Sequence, residues 1–354
     1  MTEKPSAADF MSALWRRLKP DRSDNHPTPT PQPGPGKHVA DKPQTADEVI
    51  RTMRSSRAAY LSAAKGESDV WGKLFSDQEF LATRSDDQAA AAELGLNDGK
   101  PSLAAMLARQ GIEPRSGLSL GCGSGRAERA FLKQGICERF TGIDVAEDAV
   151  VEARRHATAD GLPLDYECQD LNTIDLGGRK FDLIVCQTIL HHVLELEHLL
   201  DAVEQALTAN GLFFVHDYVG ETQFQFTDAR LRWYNLALKA LPQALRNNLL
   251  TKRILDEVRR PVPGKLVSPF EAIRSGDIRE LLMSRFDVVE LHECTTILDR
   301  VIPVGTRRGF LADENTRAMF AMLMLLDRAL LEGNVLPPLE GRYLLRRKSG
   351  QHPR

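Results

Sequence analysis

The sequence lacks the features that mark several large classes of protein. Its five cysteines are scattered, with no C-x-x-C pair, so neither a disulfide framework nor a zinc site is expected, and a reducing cytoplasm fits them. A net charge of only −3 over 354 residues gives no electrostatic reason to expect nucleic acid as a partner. No apolar run approaches the ~20 residues that cross a bilayer, so we expect no membrane span and no signal peptide.

The composition suits a globular chain with an N-terminal extension. Hydrophobic residues make up 42%, enough for a sizeable core, and the length fits one large domain with additions or two domains. Residues 1–19 predict an amphipathic helix, either a membrane-surface or partner anchor or a loosely docked end. Residues 20–44 are rich in proline and polar side chains and predict a disordered linker. Residues 45–112 predict a helical cover, with one helix over 45–64.

From Ser116 the chain alternates strands and helices, which is typical of a mostly parallel α/β sheet with helices on both faces. Strands are expected at 117–120, 139–144, 164–169, 181–186, 212–217, 286–291 and 341–347, and a helix at 195–207 that is ended by the Asn-Gly pair at 210–211. Residues 113–219 therefore predict a ligand-binding core. Residues 220–275 form a polar and aromatic insertion that we interpret as a substrate cap, and residues 276–354 complete the sheet.

A glycine-rich loop, Gly-Cys-Gly-Ser-Gly at residues 121–125, follows the first strand. Alternating glycines let the backbone turn sharply and lie against a ligand, and the next helix would point free N–H groups at it. A dinucleotide-binding loop needs a further glycine at the position of Arg126, so a nicotinamide-dependent oxidoreductase fits poorly. The glycines instead follow the spacing G-x-G-x-G, at residues 121, 123 and 125.

Acidic residues end the second and third strands. Ligands of such sheets bind at the carboxyl ends of the strands, and Asp144 lies about 20 residues after the loop, where a carboxylate can accept both ribose hydroxyls. Asp170 follows the third strand. A helix-terminal carboxylate or a surface turn would explain either residue alone, but not both behind such a loop.

This combination resembles the class I S-adenosylmethionine (SAM) dependent methyltransferases over residues 116–217. The resemblance implies a Rossmann-like sheet of seven strands, the last antiparallel beside the fifth, and SAM as cofactor. It also implies that Asp170 bonds the adenine amino group, that Leu171 packs on the ring, and that the segment after strand four passes beside the sulfonium. Ser119 departs from the acidic residue that many members carry, and Glu128 is a candidate substitute or a helix-dipole partner. The expected cofactor contacts are Gly121, Cys122, Gly123, Gly125, Asp144, Val145, Asp170, Leu171 and Gln187.

Three histidines lie at strand ends: His191, His192 and His216. Histidine is the side chain best suited to take a proton near neutral pH. His216 and His191 are therefore the candidate catalytic residues, with His216 favoured because it closes strand five, although packing would explain it equally well. Alternation along the strand points Asp217 to the opposite face, so Asp217 is not expected to orient the His216 ring.

The segments 217–228 and 268–275 resemble bacterial methyltransferases of sugar and polysaccharide biosynthesis. The resemblance implies a small-molecule or glycan acceptor, with a sugar hydroxyl as the leading choice. Two alternatives stay open: a noncatalytic SAM-binding or interaction module and, with less support, the oxidoreductase. We expect no metal, and the sequence does not indicate an oligomeric state.

Overall fold

The computed structural model describes residues 45–97 and 99–348. The helix predicted over 1–19 and the linker predicted over 20–44 lie outside the described residues and stay predictions. Within these ranges, none of the helices combines the length and apolar composition that a bilayer span requires.

Among the described residues, four helices precede the sheet: α1 (Ala46–Ser55), α2 (Arg57–Ser76), α3 (Gln78–Glu93) and α4 (Leu103–Gln110). The single helix predicted over 45–64 is wrong, because Ser56 has extended backbone and divides it. The Ser56 hydroxyl accepts the backbone N–H of Ala59 and so begins α2. A serine side chain that caps a new helix competes with the backbone hydrogen bonds that would continue the preceding helix.

The alternating region runs as β1 (Ser116–Leu120), α5 (Arg126–Lys133), β2 (Arg139–Asp144), α6 (Glu147–Asp160), β3 (Leu164–Cys168), β4 (Phe181–Gln187), α7 (Leu196–Ala206) and β5 (Leu207–Tyr218). After it come α8 (Asp228–Ala240), a short hairpin of β6 (Asn247–Asn248) and β7 (Arg253–Ile254), α9 (Ser275–Arg285), β8 (Phe286–Cys294), α10 (Leu298–Val301), α11 (Glu314–Glu332) and β9 (Glu340–Arg347).

The sheet has the order β3-β2-β1-β4-β5-β9-β8. Strands β1 to β5 are parallel, and β9 lies antiparallel between β5 and β8. This order confirms the Rossmann-like α/β prediction, including the late antiparallel strand. The strand order reverses at β1 and β4, which is where ligands of such sheets bind.

Both faces of the sheet are buried. One face packs against α7 and α9 through residues such as Leu199 and Leu282, and the other packs against α4 and α5 through Met106 and Phe131. Helix α7 ends at Ala206, one residue before the expected end at 207, because Leu207 is already extended, buried and paired with Phe181. The next pair is Leu183 with Leu212, so β5 has more residues than β4 between these two pairs, and a register shift accommodates them.

The insertion after β5 shares a second apolar core with α10 and α11. Arg230 on α8 is fully buried, and its guanidinium donates to Glu221 Oε1 (2.7 Å) and to the carbonyl oxygens of Thr296 (2.6 Å) and Pro337 (3.0 Å). A buried arginine is tolerated only where its donors are satisfied. These bonds therefore anchor the insertion to the C-terminal part of the chain.

Candidate active site

A cavity of about 390 Å³ opens at the carboxyl ends of β1, β2 and β4. The loop after β1 and the residues that follow β2, β3 and β4 form its floor, and α2 and α3 contribute Glu67, Trp71 and Arg84. Small-molecule sites usually enclose about 300–1,000 Å³. The cavity therefore has the size and position expected of the cofactor site in this fold.

The glycine loop forms one wall of the cavity. Gly121, Gly123 and Gly125 all have left-handed backbone, with φ of 75°, 52° and 71°. A Cβ on Gly121 would overlap the Ile189 side chain, and one on Gly125 would overlap the Tyr166 hydroxyl. A larger residue at Gly121 would therefore push apart the segments after β1 and β4, and one at Gly125 would displace Tyr166 of β3.

Seven of the nine expected cofactor contacts line this cavity, and two do not. The lining residues are Gly121, Gly123, Asp144, Val145, Asp170, Leu171 and Gln187. Cys122 is buried in an apolar cluster beneath the loop, and Gly125 occupies the N-terminal cap of α5. These two residues shape the loop from behind.

The two acidic strand ends face the cavity from different sides. Asp144 accepts the backbone N–H of Gly123 (2.8 Å) and of Ala146 (2.9 Å). Burial raises the pKa of Asp144, and this effect outweighs the two hydrogen bonds, which lower it. Asp170 accepts the backbone N–H of Asn172 (2.9 Å) through one oxygen and the hydroxyl of Tyr60 through the other. Each carboxylate keeps further lone pairs for a ligand, since an ionised carboxyl has about four acceptor sites.

The cavity lining includes a cationic side chain, Arg84, that the sequence analysis did not single out. The Arg84 guanidinium lines the cavity and, among residues 45–97 and 99–348, makes no hydrogen bond or ion pair. Burial lowers the pKa of Arg84, and the nearby Arg126 adds to this. Glu128, the candidate substitute for an acid at Ser119, is fully buried outside the cavity lining, and burial raises its pKa to about 7.

His191 lies on the cavity wall, and Asp217 holds its ring. His191 Nδ1 is 2.5 Å from Asp217 Oδ1, while Asp217 Oδ2 accepts the backbone N–H of Ile189 (2.8 Å) and Leu190 (2.7 Å). Burial alone would lower the pKa of His191, but the Asp217 carboxylate outweighs it and the pKa is raised. Asp217 thus fixes both the turn after β4 and the orientation of the ring, with Nε2 left for the cavity side.

His192 lies against a carboxylate of α2 but does not make the hydrogen bond that His191 makes with Asp217. Its Nδ1 is 2.8 Å from Glu67 Oε1, and Glu67 accepts the indole N–H of Trp71 (2.7 Å) and the backbone N–H of Phe270 (3.1 Å). Burial would raise the pKa of Glu67, but the nearby His192 and the hydrogen bonds from Trp71 and Phe270 lower it. The Glu271 carboxylate lies opposite, 3.7 Å from His191 Nε2 and 3.8 Å from His192 Nε2.

His216 is not part of this group. Its Nε2 bonds the Glu340 carboxylate on β9, which also lies 3.6 Å from Lys100 Nζ, and His216 does not line the cavity. Alternation along β5 sends His216 to one face and Asp217 to the other, and the cavity histidine is on the Asp217 side. Of the two candidate catalytic histidines, His191 is therefore the one that lines the cavity.

Glu340 should instead contribute to stability in a pH-dependent way. Burial would raise its pKa, but His216 and Lys100 bring it down to about 2, below the ordinary value of 4.5. The stabilisation is complete above pH 4.5 and is lost as the pH falls through about 2. We expect Glu340→Gln to lower the free energy of unfolding by about 1–3 kcal/mol at pH 7, and progressively less below pH 4.5.

Urea unfolding at pH 7 and pH 3 checks this expectation. The exposed Glu332, paired only with Arg328 four residues earlier, supplies the matched control, and Glu332→Gln should change little at either pH. An equal loss for Glu340→Gln at both pH values would contradict the assigned pKa.

The comparisons with known proteins agree on the central part of the chain. Residues 118–215 match a family model described as a methyltransferase domain. A ubiquinone biosynthesis O-methyltransferase of Methylobacterium sp. (strain 4-46) is 34% identical over 107 residues, which is 29% of this chain and 42% of that protein. The corresponding protein of Idiomarina loihiensis is 32% identical over 105 residues, again 29% and 42%. The chain thus spans less than half the length of these curated relatives.

Among solved structures, the plantazolicin methyltransferase BpumL in complex with SAH is similar, with 13% identity, a TM-score of 0.42, and coverage of 85% of this chain and 99% of that one. That similarity is too low to support an argument, and the strand order itself establishes the fold. The family match falls on the strands and loops that build the cavity. The centre of this chain is therefore a class I methyltransferase domain, with S-adenosylmethionine as its cofactor.

Proposed function

We propose that the protein transfers the methyl group of SAM to a hydroxyl oxygen of a small-molecule or glycan acceptor. The observation that carries this proposal is the buried His191–Asp217 pair, which places an oriented imidazole in the same cavity as the glycine loop. SAM supplies a methyl group on a positively charged sulfur. The protein's part is to align the acceptor with that methyl group and to help the hydroxyl lose its proton.

On the cofactor side, we assign the seven lining residues named above as contacts. The Asp144 carboxylate would accept the ribose hydroxyls, and Asp170 would accept the adenine amino group. We add Arg84, whose free guanidinium suits the carboxylate of the methionine moiety. The remaining charged groups of the lining are carboxylates, which attract a sulfonium.

The acceptor end is the region of His191, His192 and Glu271. A neutral alcohol is a weak nucleophile, so its proton must leave as the methyl group arrives. His191 offers Nε2 at this position because Nδ1 is committed to Asp217. The acceptor hydroxyl is therefore activated at His191 in this proposal.

A sugar acceptor has weaker support than a hydroxyl in general. The relatives described above are named for O-methylation in ubiquinone biosynthesis. A polar side chain that was expected to bind a sugar instead makes hydrogen bonds within the insertion. Gln223 is fully buried, its side-chain amide donates to the Glu271 carbonyl (2.7 Å), and its side-chain oxygen accepts the backbone N–H of Gly264 (2.7 Å). Phenols and sugars are therefore both candidate acceptors.

Release of S-adenosylhomocysteine from SAM tests the proposal, with a panel of phenols, nucleotide sugars and amines as acceptors. We expect product only with hydroxyl acceptors, and calorimetric binding of SAM but not of NAD. Product with amines alone would overturn the hydroxyl assignment. Binding of SAM without turnover on any hydroxyl in the panel would favour a noncatalytic SAM-binding module.

A further inference from the structure

Three buried donor groups converge at the acceptor end of the cavity. One ring nitrogen of His191, one of His192 and one carboxylate oxygen of Glu271 all lie within 4.8 Å of one another. The two rings are adjacent, with centroids 4.1 Å apart. The separations of 3.7 and 3.8 Å between each Nε2 and the carboxylate are too long for hydrogen bonds. The three groups therefore face a common point without bonding one another.

The opposite nitrogen of each ring lies close to a carboxylate. Asp217 lies 2.5 Å from Nδ1 of His191, and Glu67 lies 2.8 Å from Nδ1 of His192. Histidines that bind metals almost always give their other ring N–H to a carboxylate, a carbonyl or water, which fixes the tautomer and aims the free nitrogen at the ion. His191 makes this hydrogen bond, whereas His192 has the carboxylate nearby without the bond.

Carboxylates outnumber imidazoles in this cluster. Glu67, Asp217 and Glu271 surround two imidazoles, and all of these side chains are nine-tenths buried or close to it. In the part of the chain that the structure describes, no hydrogen bond reaches the Glu271 carboxylate. Buried carboxylates are costly unless they are paired or coordinate a metal.

We propose that His191, His192 and Glu271 bind a divalent transition-metal ion at the acceptor end of the cavity. Two imidazoles with one carboxylate suit Zn²⁺ and related ions, whereas Mg²⁺ prefers oxygen ligands. Three protein ligands leave a position open for a further oxygen, as in catalytic zinc sites.

The inference deepens the proposed function and rests on it for the role of the ion. An acceptor hydroxyl at the open position would have a lowered pKa and would release its proton to water. The C–O bond then forms as the C–S bond breaks, and sulfur keeps the electron pair. The products are a methyl ether, S-adenosylhomocysteine and one proton. His191 in this scheme is a ligand that positions the ion and does not itself take the proton.

Metal binding by the full-length protein tests the site without relying on turnover. The protein is treated with a chelator, dialysed, and titrated with Co²⁺, whose visible absorption reports coordination, and with Zn²⁺ counted by mass spectrometry. We expect one ion per chain. Glu271→Gln and His192→Ala should each weaken binding at least tenfold, and Glu67→Gln, which leaves the ligands in place, by about 10–100-fold.

His292→Ala is the matched control, because His292 also pairs with a carboxylate, Glu290 at 2.9 Å, but on β8 and outside the cavity. It should bind the metal as the unchanged protein does. If His192→Ala does not fold, Glu271→Gln still tests the site. The Glu271 carboxylate accepts no hydrogen bond from the described residues, so its replacement by an amide should not disturb the fold.

The inference fails if the chelated protein takes up neither ion, or if Glu271→Gln and His192→Ala bind like the unchanged protein. Calorimetric titration with SAM on the same samples separates the two proposals. SAM binding and methyl transfer without metal uptake would overturn the metal site and leave the proposed function standing. Metal uptake without SAM binding would support the metal site and overturn the proposed function.

Discussion

His191→Ala is expected to lower kcat by roughly 10²–10⁴-fold, whereas His216→Ala should change it little. The imidazole of His191 lies on the cavity wall, and that of His216 bonds Glu340 on β9. Loss of His191 removes the group that activates the acceptor, whether it acts directly or by holding an ion. The measurement is S-adenosylhomocysteine release at saturating SAM with a confirmed hydroxyl acceptor.

The dissociation constant of SAM serves as the control for both variants and should stay unchanged, because neither histidine is assigned to the cofactor. His216→Ala is expected to reduce the free energy of unfolding, since it removes the partner of Glu340. A large fall in kcat for His216→Ala, with kcat intact in His191→Ala, would reverse the assignment.

Asp144→Ala is expected to weaken SAM binding by about 1–3 kcal/mol, which is about 5–150-fold in Kd. The carboxylate is assigned to the ribose hydroxyls, and it also holds the Gly123 amide of the glycine loop in place. Calorimetric titration with SAM measures the change. Asp148→Ala is the matched control, because Asp148 is an exposed carboxylate in the first turn of α6 and does not line the cavity.

Arg84→Ala should also weaken SAM binding, and its effect should add to that of Asp144→Ala because the two side chains are assigned to different groups of the cofactor, the methionine carboxylate and the ribose hydroxyls. Unchanged affinity in a folded Asp144→Ala protein would mean that the ribose lies elsewhere. A strongly non-additive double variant would mean that the two side chains share one partner.

The strands were predictable because each is an apolar run whose ends are marked by glycines or acidic residues. Strand β2 has the expected bounds, 139–144, and β1, β3, β4 and β9 differ from expectation by one residue at one end. The division between α1 and α2 was missed because the hydrophobic periodicity continues through Ser56, and only its capping bond shows the break. The start of β5 was missed because Leu207 suits the end of a helix as well as the start of a strand.

The cofactor half of the site was predictable for a geometric reason: parallel strands bring their carboxyl ends to one edge, so Asp144 and Asp170 had to lie near the glycine loop. The acceptor half was not, because its residues are distant in sequence. Glu67 meets the backbone of Phe270 across 203 positions, a contact that no local pattern indicates.

The choice between His216 and His191 depended on which face of β5 meets the cavity, and helices cover both faces of this sheet. Similarly, the absence of paired cysteines argues against a cysteine-based zinc site, but it says nothing about histidine and carboxylate ligands. The proposed metal site departs in this respect from the expectation of none.

Helix α2 touches both ends of the cavity. Tyr60 gives its hydroxyl hydrogen bond to Asp170 at the adenine end, and Glu67 lies against His192 at the acceptor end. The two residues are two turns apart on one face, about 10 Å along the axis, and a helix segment of this length moves as a rigid rod. In the proposed assignment, a displacement of α2 that accompanies adenine binding at Asp170 also moves Glu67. We therefore expect cofactor binding at one end to alter the affinity for the acceptor at the other, and, by reciprocity, the acceptor to alter the affinity for the cofactor.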